Sequence, residues 1–300
     1  MFTTRIAPSP TGLFHLGTAR TAYFSWLAAR ASGGRFVLRI DDTDEARNTD
    51  EAVQVILESM SWLGLDYDEI YYQSKRAPLY REAADKLIDA GRARVLGNGA
   101  VVLNLPELPD FFIDSIAGKI PISKTAKESM DPLILIRGDG GGVTYQFAST
   151  LDDYFMGINW IIRGHDHIQN TPKQMAIWMA ACGGEFPKVS HVGLIFKDGK
   201  KMTKRDGAAS LLGYRQIGYA PEAMLTFMLR LGWSPFDDSS KAMNFINRET
   251  ALKMFLTDGG MRAASRTNFD ERRLNNIQAN YEREHKIPRD QWVSQRRKTE

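Results

Sequence analysis

The chain has 300 residues, 43% hydrophobic and 25% charged, with a formal net charge of +3. These proportions fit a globular protein of one large domain or two smaller ones, and they exclude repetitive and low-complexity classes. The mild basic excess permits a polyanionic partner without demanding one, and Cys182, the only cysteine, excludes an intrachain disulfide and a cysteine zinc site. Residues 2–7 predict a short strand. Pro8, Pro10 and Gly12 force an irregular turn, and residues 19–30 read as a helix with Phe24, Leu27 and Ala28 as apolar positions. Residues 36–40 predict a second strand, so helix and strand alternate as in a parallel α/β sheet. Asn48 or Thr49 caps the next helix, with Asp50 and Glu51 in its first turn and Val53, Ile56, Met60 and Leu63 on its core face; Gly64 ends it. Residues 71–74 are extended and 79–90 helical.

Residues 91–142 differ in character. Strands are expected at 101–103 and 133–136, between Pro- and Gly-punctuated segments. Gly138 to Gly142 form a turn, not a phosphate loop, because no helix-opening lysine follows. Residues 143–147 resume the first pattern. Asp152-Asp153 reads as a turn into a strand at 158–163, and residues 171–181 form a helix with Thr171 as cap and Pro172 first. His165-Asp166-His167 contains ligand types, but alternate loop residues without a third histidine nearby make a weak metal site. A strand at 189–196 contains His191. A basic loop at 197–207 follows, then helices at 221–231, 248–256 and 270–281 and a polar tail from 291 that frays. No signal segment or membrane-length apolar run is present, so a cytoplasmic location is expected.

Two stretches carry chemistry. His15-Leu16-Gly17-Thr18 joins a strand, a tight loop and a helix N-terminus, an arrangement suited to phosphate. Gly17 removes a side chain where a nucleotide could approach the backbone. A Pro-rich turn before an ordinary helix would look much the same. The second stretch is the Gly-bounded basic loop Gly199-Lys200-Lys201-Met202-Thr203-Lys204-Arg205-Asp206-Gly207, which alone is equally a solvated face. Asp41 and Asp42 fall at the carboxyl end of the second strand, where open α/β sheets bind ligands; acids there also simply solvate a strand end.

Together, His15-Leu16-Gly17-Thr18 and Lys201-Met202-Thr203-Lys204-Arg205 resemble the two signatures of class I aminoacyl-tRNA synthetases. Ala7-Pro8-Ser9-Pro10-Thr11-Gly12, Arg39-Ile40-Asp41-Asp42-Thr43-Asp44, Arg163-Gly164-His165-Asp166-His167 and Tyr214-Arg215-Gln216-Ile217-Gly218-Tyr219 are similar to glutamyl-tRNA synthetases. The resemblance covers most of residues 1–75 and 143–235, in order. It implies an α/β fold: a Rossmann-like doubly wound parallel sheet with an inserted acceptor-binding subdomain and a C-terminal helical stem-contact region. The expected divisions are 1–75 and 143–196 for the two halves of the catalytic domain, 76–142 for a shortened insert, and 197–300 for the signature loop and helical region. An anticodon-binding domain is expected to be missing.

By resemblance, His15, Gly17, Thr18, Leu194, Ile195 and Lys204 bind ATP, with His15 and Lys204 catalytic. Arg5, Ser9, Asp41, Tyr145 and Arg163 take L-glutamate, the arginines holding its side-chain carboxylate and Asp41 its ammonium. Arg262, Arg266, Arg272 and Arg273 meet tRNA. Mg²⁺ accompanies ATP, and zinc is not expected. The implied reaction makes glutamyl-adenylate and charges the 3′ end of tRNA, with tRNA-Glu as acceptor and a monomeric, membrane-free enzyme. The alternatives are a paralogue that glutamylates another acceptor, such as queuosine in tRNA, and a non-catalytic tRNA-binding relic. The chain departs from the family at Asp41, where bacterial relatives usually have Glu, at Ser149 for a frequent Asn, and at His165 for a common Glu.

Overall fold

The computed structural model describes residues 1–10, 14–43, 48–197, 199–202, 211–233, 245–257, 260–261 and 266–293, and of Lys201, Arg266 and Arg289 only the backbone. Strand β1 (Thr4–Ile6) leads through the proline-punctuated turn into helix α1 (Leu16–Ala31), which returns to β2 (Phe36–Ile40). β1 and β2 pair in parallel, with Arg5 opposite Val37. α1 is buried on nearly every side, because it lies between the sheet and the C-terminal helices. That explains its all-round apolar character.

Helix α2 (Asp50–Trp62) begins at Thr49, whose side chain accepts from the Ala52 amide. It stops at Gly64, in the left-handed region at φ +62°. A Cβ there would lie 2.6 Å from the Arg248 guanidinium, which donates to the Gly64 and Leu63 carbonyls. β3 (Glu69–Tyr72) then extends the parallel ladder β1-β2-β3. Gln73 and Ser74, expected to be extended, open a 3₁₀ turn (Gln73–Arg76) into α3 (Ala77–Asp89).

Residues 76–142 supply two separate things. β4 (Ala93–Val95), β5 (Val101–Leu103) and β8 (Leu133–Ile136) make a small antiparallel sheet. Between them, β6 (Phe111–Asp114) and β7 (Gly118–Pro121) form a hairpin, and β6 pairs in parallel with β10 of the main sheet. A short helix α4 (Lys124–Glu128) is capped by Ser123.

Helix α5 (Tyr145–Phe155) is capped by Thr144 and carries Asp152 and Asp153 in its last turn, both buried. Sequence reading placed a turn there; carboxylates that read as solvent signals instead face inward onto arginines. β9 (Trp160–Gly164), a 3₁₀ turn (His165–Asn170), α6 (Thr171–Ala181) and β10 (Lys188–Val192) follow. Asn170, not Thr171, occupies the cap position of α6. The ladder runs β7-β6-β10-β9. It abuts the first ladder where the Asn159 and Trp160 amides donate to the Thr3 carbonyl at 3.1 and 3.3 Å. Strand order therefore reverses between β1 and β9, the crevice where open α/β sheets take ligands.

The strand expected at 189–196 breaks at Gly193 into β10 and β11 (Leu194–Lys197). β11 forms a hairpin with β12 (Lys200–Lys201) and pairs in parallel with β13 (Arg266–Asn268). Helices α7 (Leu211–Gln216), α8 (Pro221–Leu229), α9 (Arg248–Phe255) and α10 (Glu271–Glu284) complete the chain. α8, α9 and α10 share one core with α1 through residues such as Phe24, Met228, Phe255 and Ile277. A second core joins α3, α5 and α6 to the small sheet. Among the described residues, no helix is long and apolar enough to cross a membrane.

Candidate active site

A cleft of about 1300 Å³ opens at the reversal point. Arg5, Ser9, His15, Gly17, Thr18, Asp41, Tyr145, Arg163, Leu194 and Ile195 all line it. Lys204 and Arg262 lie outside the described residues. Arg266 is described only as backbone, opposite Leu194 in the β11–β13 pair. Arg272 and Arg273 are exposed at the start of α10, and neither lines the cleft.

At the phosphate-suited end, His15 is the cap residue of α1. Its Nδ1 accepts from the Thr18 amide at 3.3 Å, so the neutral ring carries its proton on Nε2, 3.2 Å from Thr18 Oγ1. First-turn amides have no intrahelical partner, and the helix dipole adds partial positive charge there. Gly17 keeps this turn compact, since a Cβ at 17 would meet the His15 ring at 3.2 Å. One turn on, buried Arg20 donates to the Leu231 carbonyl at 2.8 Å, to Thr267 Oγ1 at 3.1 Å and to the Gly193 carbonyl. Burial lowers its pKa to about 10. This side chain fastens the α1 start to the strand break at Gly193 and to the C-terminal region.

Strand β11, whose Leu194 and Ile195 line the cleft, is itself engaged. The Ile195 carbonyl accepts from the Met202 amide at 2.9 Å, closing the hairpin that leads to the basic loop. The Leu194 carbonyl accepts from Thr267 Oγ1 at 3.3 Å.

The other end is a buried charge network. Arg5 donates to both oxygens of Asp153 at 2.9 and 3.1 Å, and to the Ile162 carbonyl at 3.4 Å. Arg39, fully buried in β2, donates to both oxygens of Asp41 at 2.7 and 3.3 Å and to Asp153 at 2.8 Å. Asp152 accepts from Gln73 at 2.8 Å, Arg76 at 2.6 Å and the Tyr80 hydroxyl at 2.8 Å. Asp41, Asp152 and Asp153 thus balance Arg5, Arg39 and Arg76, as burial of charge requires. Burial would raise the Asp153 carboxyl, but Arg5 and Arg39 outweigh it and hold it below the usual range. At Asp41 burial wins over Arg39, which is shared among several carboxylates, and the pKa rises to about 6. Asp41, expected to take the substrate ammonium, therefore stands already clasped by Arg39.

Arg163 ends β9. Its Nε donates to His191 Nε2 at 3.0 Å, Nη1 to Gln174 Oε1 at 2.6 Å and Nη2 to Thr171 Oγ1 at 2.8 Å. Burial lowers its pKa to about 10, so it stays cationic near neutrality. Gln174 in turn donates to Ser149 Oγ at 2.8 Å, which gives the departure at 149 a place: it completes the support of Arg163 from α5. Tyr145 and the His167 ring face each other at 6.0 Å between centroids. Burial, then Arg163, pushes His167 down to about 4. Among the described residues no group of three or more His, Cys, Asp or Glu is arranged to hold a metal ion.

Sequence reading quoted Arg39 only as part of a motif and Asp152-Asp153 only as a turn, gave none of them a role in the site, and did not single out Gln174, Asp114 or the bond of His191 to Arg163. One of these had a local signal. A cation in the middle of the apolar strand Phe36–Ile40 demands a buried counter-charge.

The catalytic-domain model of the family "tRNA synthetases class I (E and Q)" matches residues 1–97 and 103–276. A glutamate–tRNA ligase of Nitrosomonas europaea is 41% identical over 295 residues, 85% of this chain and 62% of that protein. Glutamate–tRNA ligase 1 of Alkalilimnicola ehrlichii is 43% identical over 274 residues, 78% of this chain and 57% of its own length. The chain therefore spans about three fifths of these relatives. A crystal structure of a glutamate tRNA ligase from Elizabethkingia meningosepticum, in complex with its amino acid, superposes with a TM-score of 0.79 at 26% identity, over 94% of this chain and 70% of that one. With the family model covering most of its length and the cleft at the strand-order reversal, the chain belongs to the class I (E and Q) tRNA synthetases, in their catalytic domain.

Proposed function

We propose that the chain activates L-glutamate with ATP, forming glutamyl-adenylate and pyrophosphate, and transfers the glutamyl group to the 3′ end of a tRNA, tRNA-Glu. The observation that carries this reading is the meeting, in one cleft, of two buried arginines, from β1 and β9, and the histidine-capped start of α1. The reaction needs no general base. The substrate carboxylate is already the nucleophile; it attacks the α-phosphate of ATP, and pyrophosphate leaves. The protein must align the two and stabilise negative charge in the transition state.

In this reading the His15 Nε2–H, the first-turn amides of α1 and Thr18 hold ATP, with Leu194 and Ile195 beside the base and Lys204 on the phosphates. Mg²⁺ enters with ATP and screens phosphate charge. Arg5 and Arg163 fork the γ-carboxylate of glutamate. Asp41 uses lone pairs that Arg39 leaves over to meet the ammonium, and Ser9 and Tyr145 complete the pocket. Residues 76–142 receive the acceptor end, and 197–300, with Arg262, Arg266, Arg272 and Arg273, approach the stem. The enzyme acts in the cytoplasm as a monomer.

The test is glutamate-dependent ATP–pyrophosphate exchange, with and without bulk tRNA, followed by charging of purified tRNA species. Exchange together with charging of tRNA-Glu is the expected result. Exchange without charging of any tRNA-Glu species would overturn the acceptor assignment. No exchange from folded chain under either condition would overturn activation altogether.

A further inference from the structure

We infer that Asp114 and His191 are positioning residues that set the plane of the Arg163 guanidinium and, through it, the preference of the site for a carboxylate over an amide side chain. This rests on the proposed reading in which Arg163 receives the glutamate side chain.

The hydrogen bonds leave one consistent proton arrangement. Arg163 Nε always carries a proton, and it lies 3.0 Å from His191 Nε2. Thr171 Oγ1, which accepts from Arg163 Nη2, lies 3.3 Å from the same imidazole nitrogen. Nε2 must therefore be bare, and the ring proton sits on Nδ1. That proton meets Asp114 Oδ2 at 2.7 Å. Asp114 Oδ2 also accepts the His191 amide at 2.9 Å, while Oδ1 accepts the amides of Ile116 and Ala117 at 2.8 and 2.7 Å. Burial opposes ionisation of Asp114, but the bonds from His191 and the two amides hold its carboxyl below the usual range. Asp114 and His191 are each 1% exposed and Arg163 6%, so water does not compete for these bonds.

The consequence for Arg163 is geometric. A guanidinium is planar, and here all three of its nitrogens are held, by His191, Gln174 and Thr171. The His191 contact is the one that depends on a tautomer, and the tautomer depends on a carboxylate from β6, within residues 76–142. A fixed cationic fork donates to two carboxylate oxygens at once. An amide of the same size offers one oxygen and one N–H pair, which faces the fork donor to donor. If the fork can tilt, that mismatch relaxes and discrimination falls.

Asp114→Asn places an NH₂ group where either the His191 side or the two turn amides need an acceptor. It favours the reversed tautomer, which points Nε2–H at Arg163 Nε–H. The first experiment reads the wild-type site and uses a variant only for assignment. The full chain, labelled with ¹⁵N at its five histidines, is examined near neutral pH, and His191 is assigned by the signal lost in His191→Gln. A pyridine-type Nε2 and a protonated Nδ1 are expected; a protonated Nε2 overturns the proposal. The second experiment compares KM for glutamate, KM for ATP and the glutamate/glutamine preference in pyrophosphate exchange. Asp114→Asn is expected to raise the glutamate KM by roughly tenfold, as loss of orienting partners does at other sites. ATP KM stays unchanged, the preference falls, and Asp114→Glu recovers part of both. Folded Asp114→Asn with wild-type glutamate KM and preference overturns the proposal. So does equal loss in Asn and Glu variants that keep the wild-type tautomer. Arg163→Lys with an unchanged glutamate KM instead removes the underlying reading of the cleft.

Discussion

Arg5 and Asp153, 148 positions apart in the chain, meet side-on through two parallel hydrogen bonds of 2.9 and 3.1 Å. The pair crosses the reversal point from β1 to the last turn of α5, with both side chains almost fully buried. Asp153 also receives Arg39 at 2.8 Å. One carboxylate therefore bridges two buried cations, with Asp41 supplying the second negative charge at Arg39.

Asp153→Asn should be severely destabilising. It leaves two buried guanidiniums short of charge, and breaking a buried pair from one side costs about 3–5 kcal/mol. Urea unfolding should show a lower midpoint with little change in slope. The pH dependence has a definite sign. The folded pKa of Asp153 lies below its unfolded value. Its stabilisation is complete above the unfolded carboxylate value, near pH 4, and is lost as pH falls through the lower folded value. The Asn variant should lack that acid-side loss.

Asp41 should behave in the opposite sense. Its folded pKa, raised to about 6 by burial, lies above the unfolded value. Between about pH 4 and 6 the native state holds the extra proton, so this group favours folding more as pH falls. The same protonation removes the charge proposed to meet the substrate ammonium. Glutamate KM should therefore rise as pH drops through about 6, with ATP KM less affected. In Asp41→Asn the KM should be high and flat across that range. A wild-type KM that stays constant from pH 7 to 5 would contradict this assignment.

Gly17→Ala separates stability from activity. Ala is favoured over Gly in a helix interior by roughly 0.8–1 kcal/mol, which offsets the loss of the His15 cap bond of about 1 kcal/mol, so the melting temperature should stay close to wild type. The new Cβ meets the His15 ring at 3.2 Å and moves the imidazole off the Thr18 amide. ATP KM should increase several-fold while glutamate KM changes little. Matched thermal melts and exchange kinetics read both effects.

Arg20→Met tests the fastening between α1 and the C-terminal region. The variant keeps most of the buried stem but loses donors to the Leu231 and Gly193 carbonyls and to Thr267. Hydrogen bonds to a charged group contribute about 1.5–3 kcal/mol. The melting temperature should fall, as read by thermal denaturation of the wild type and the variant side by side.

Where the sequence was legible, the signals were local. Thr49 with Asp50 and Glu51 announces a helix start, and Gly64 its end; both are as expected. The strand at 36–40 and the helix at 171–181 coincide with β2 and α6 because apolar runs and flanking breakers agree. Misreadings arose where meaning came from distant residues. Asp152-Asp153 looks like a turn until Tyr80, Arg76, Arg39 and Arg5 are brought against it from 72 to 148 positions away. β6 escaped notice because Phe111–Asp114 alternates exposed and buried residues within a stretch that resembles a self-contained insert. The cleft residues were legible chiefly through resemblance. Their supports, such as Gln174 behind Arg163, carry no motif.

The position of β1 between β2 and β9 also bears on how the chain is made. On a ribosome, β2 is available soon after β1, but β9 and Asp153 follow more than a hundred residues later, a delay on the order of ten seconds. During that interval one edge of β1 lies open, and unpaired strand edges are templates for the wrong partner. Arg39 can rest on Asp41, two positions away, while Arg5 must wait for its counter-charge. Nascent chains halted before residue 153 should therefore be the species that chaperones bind and that aggregate when released.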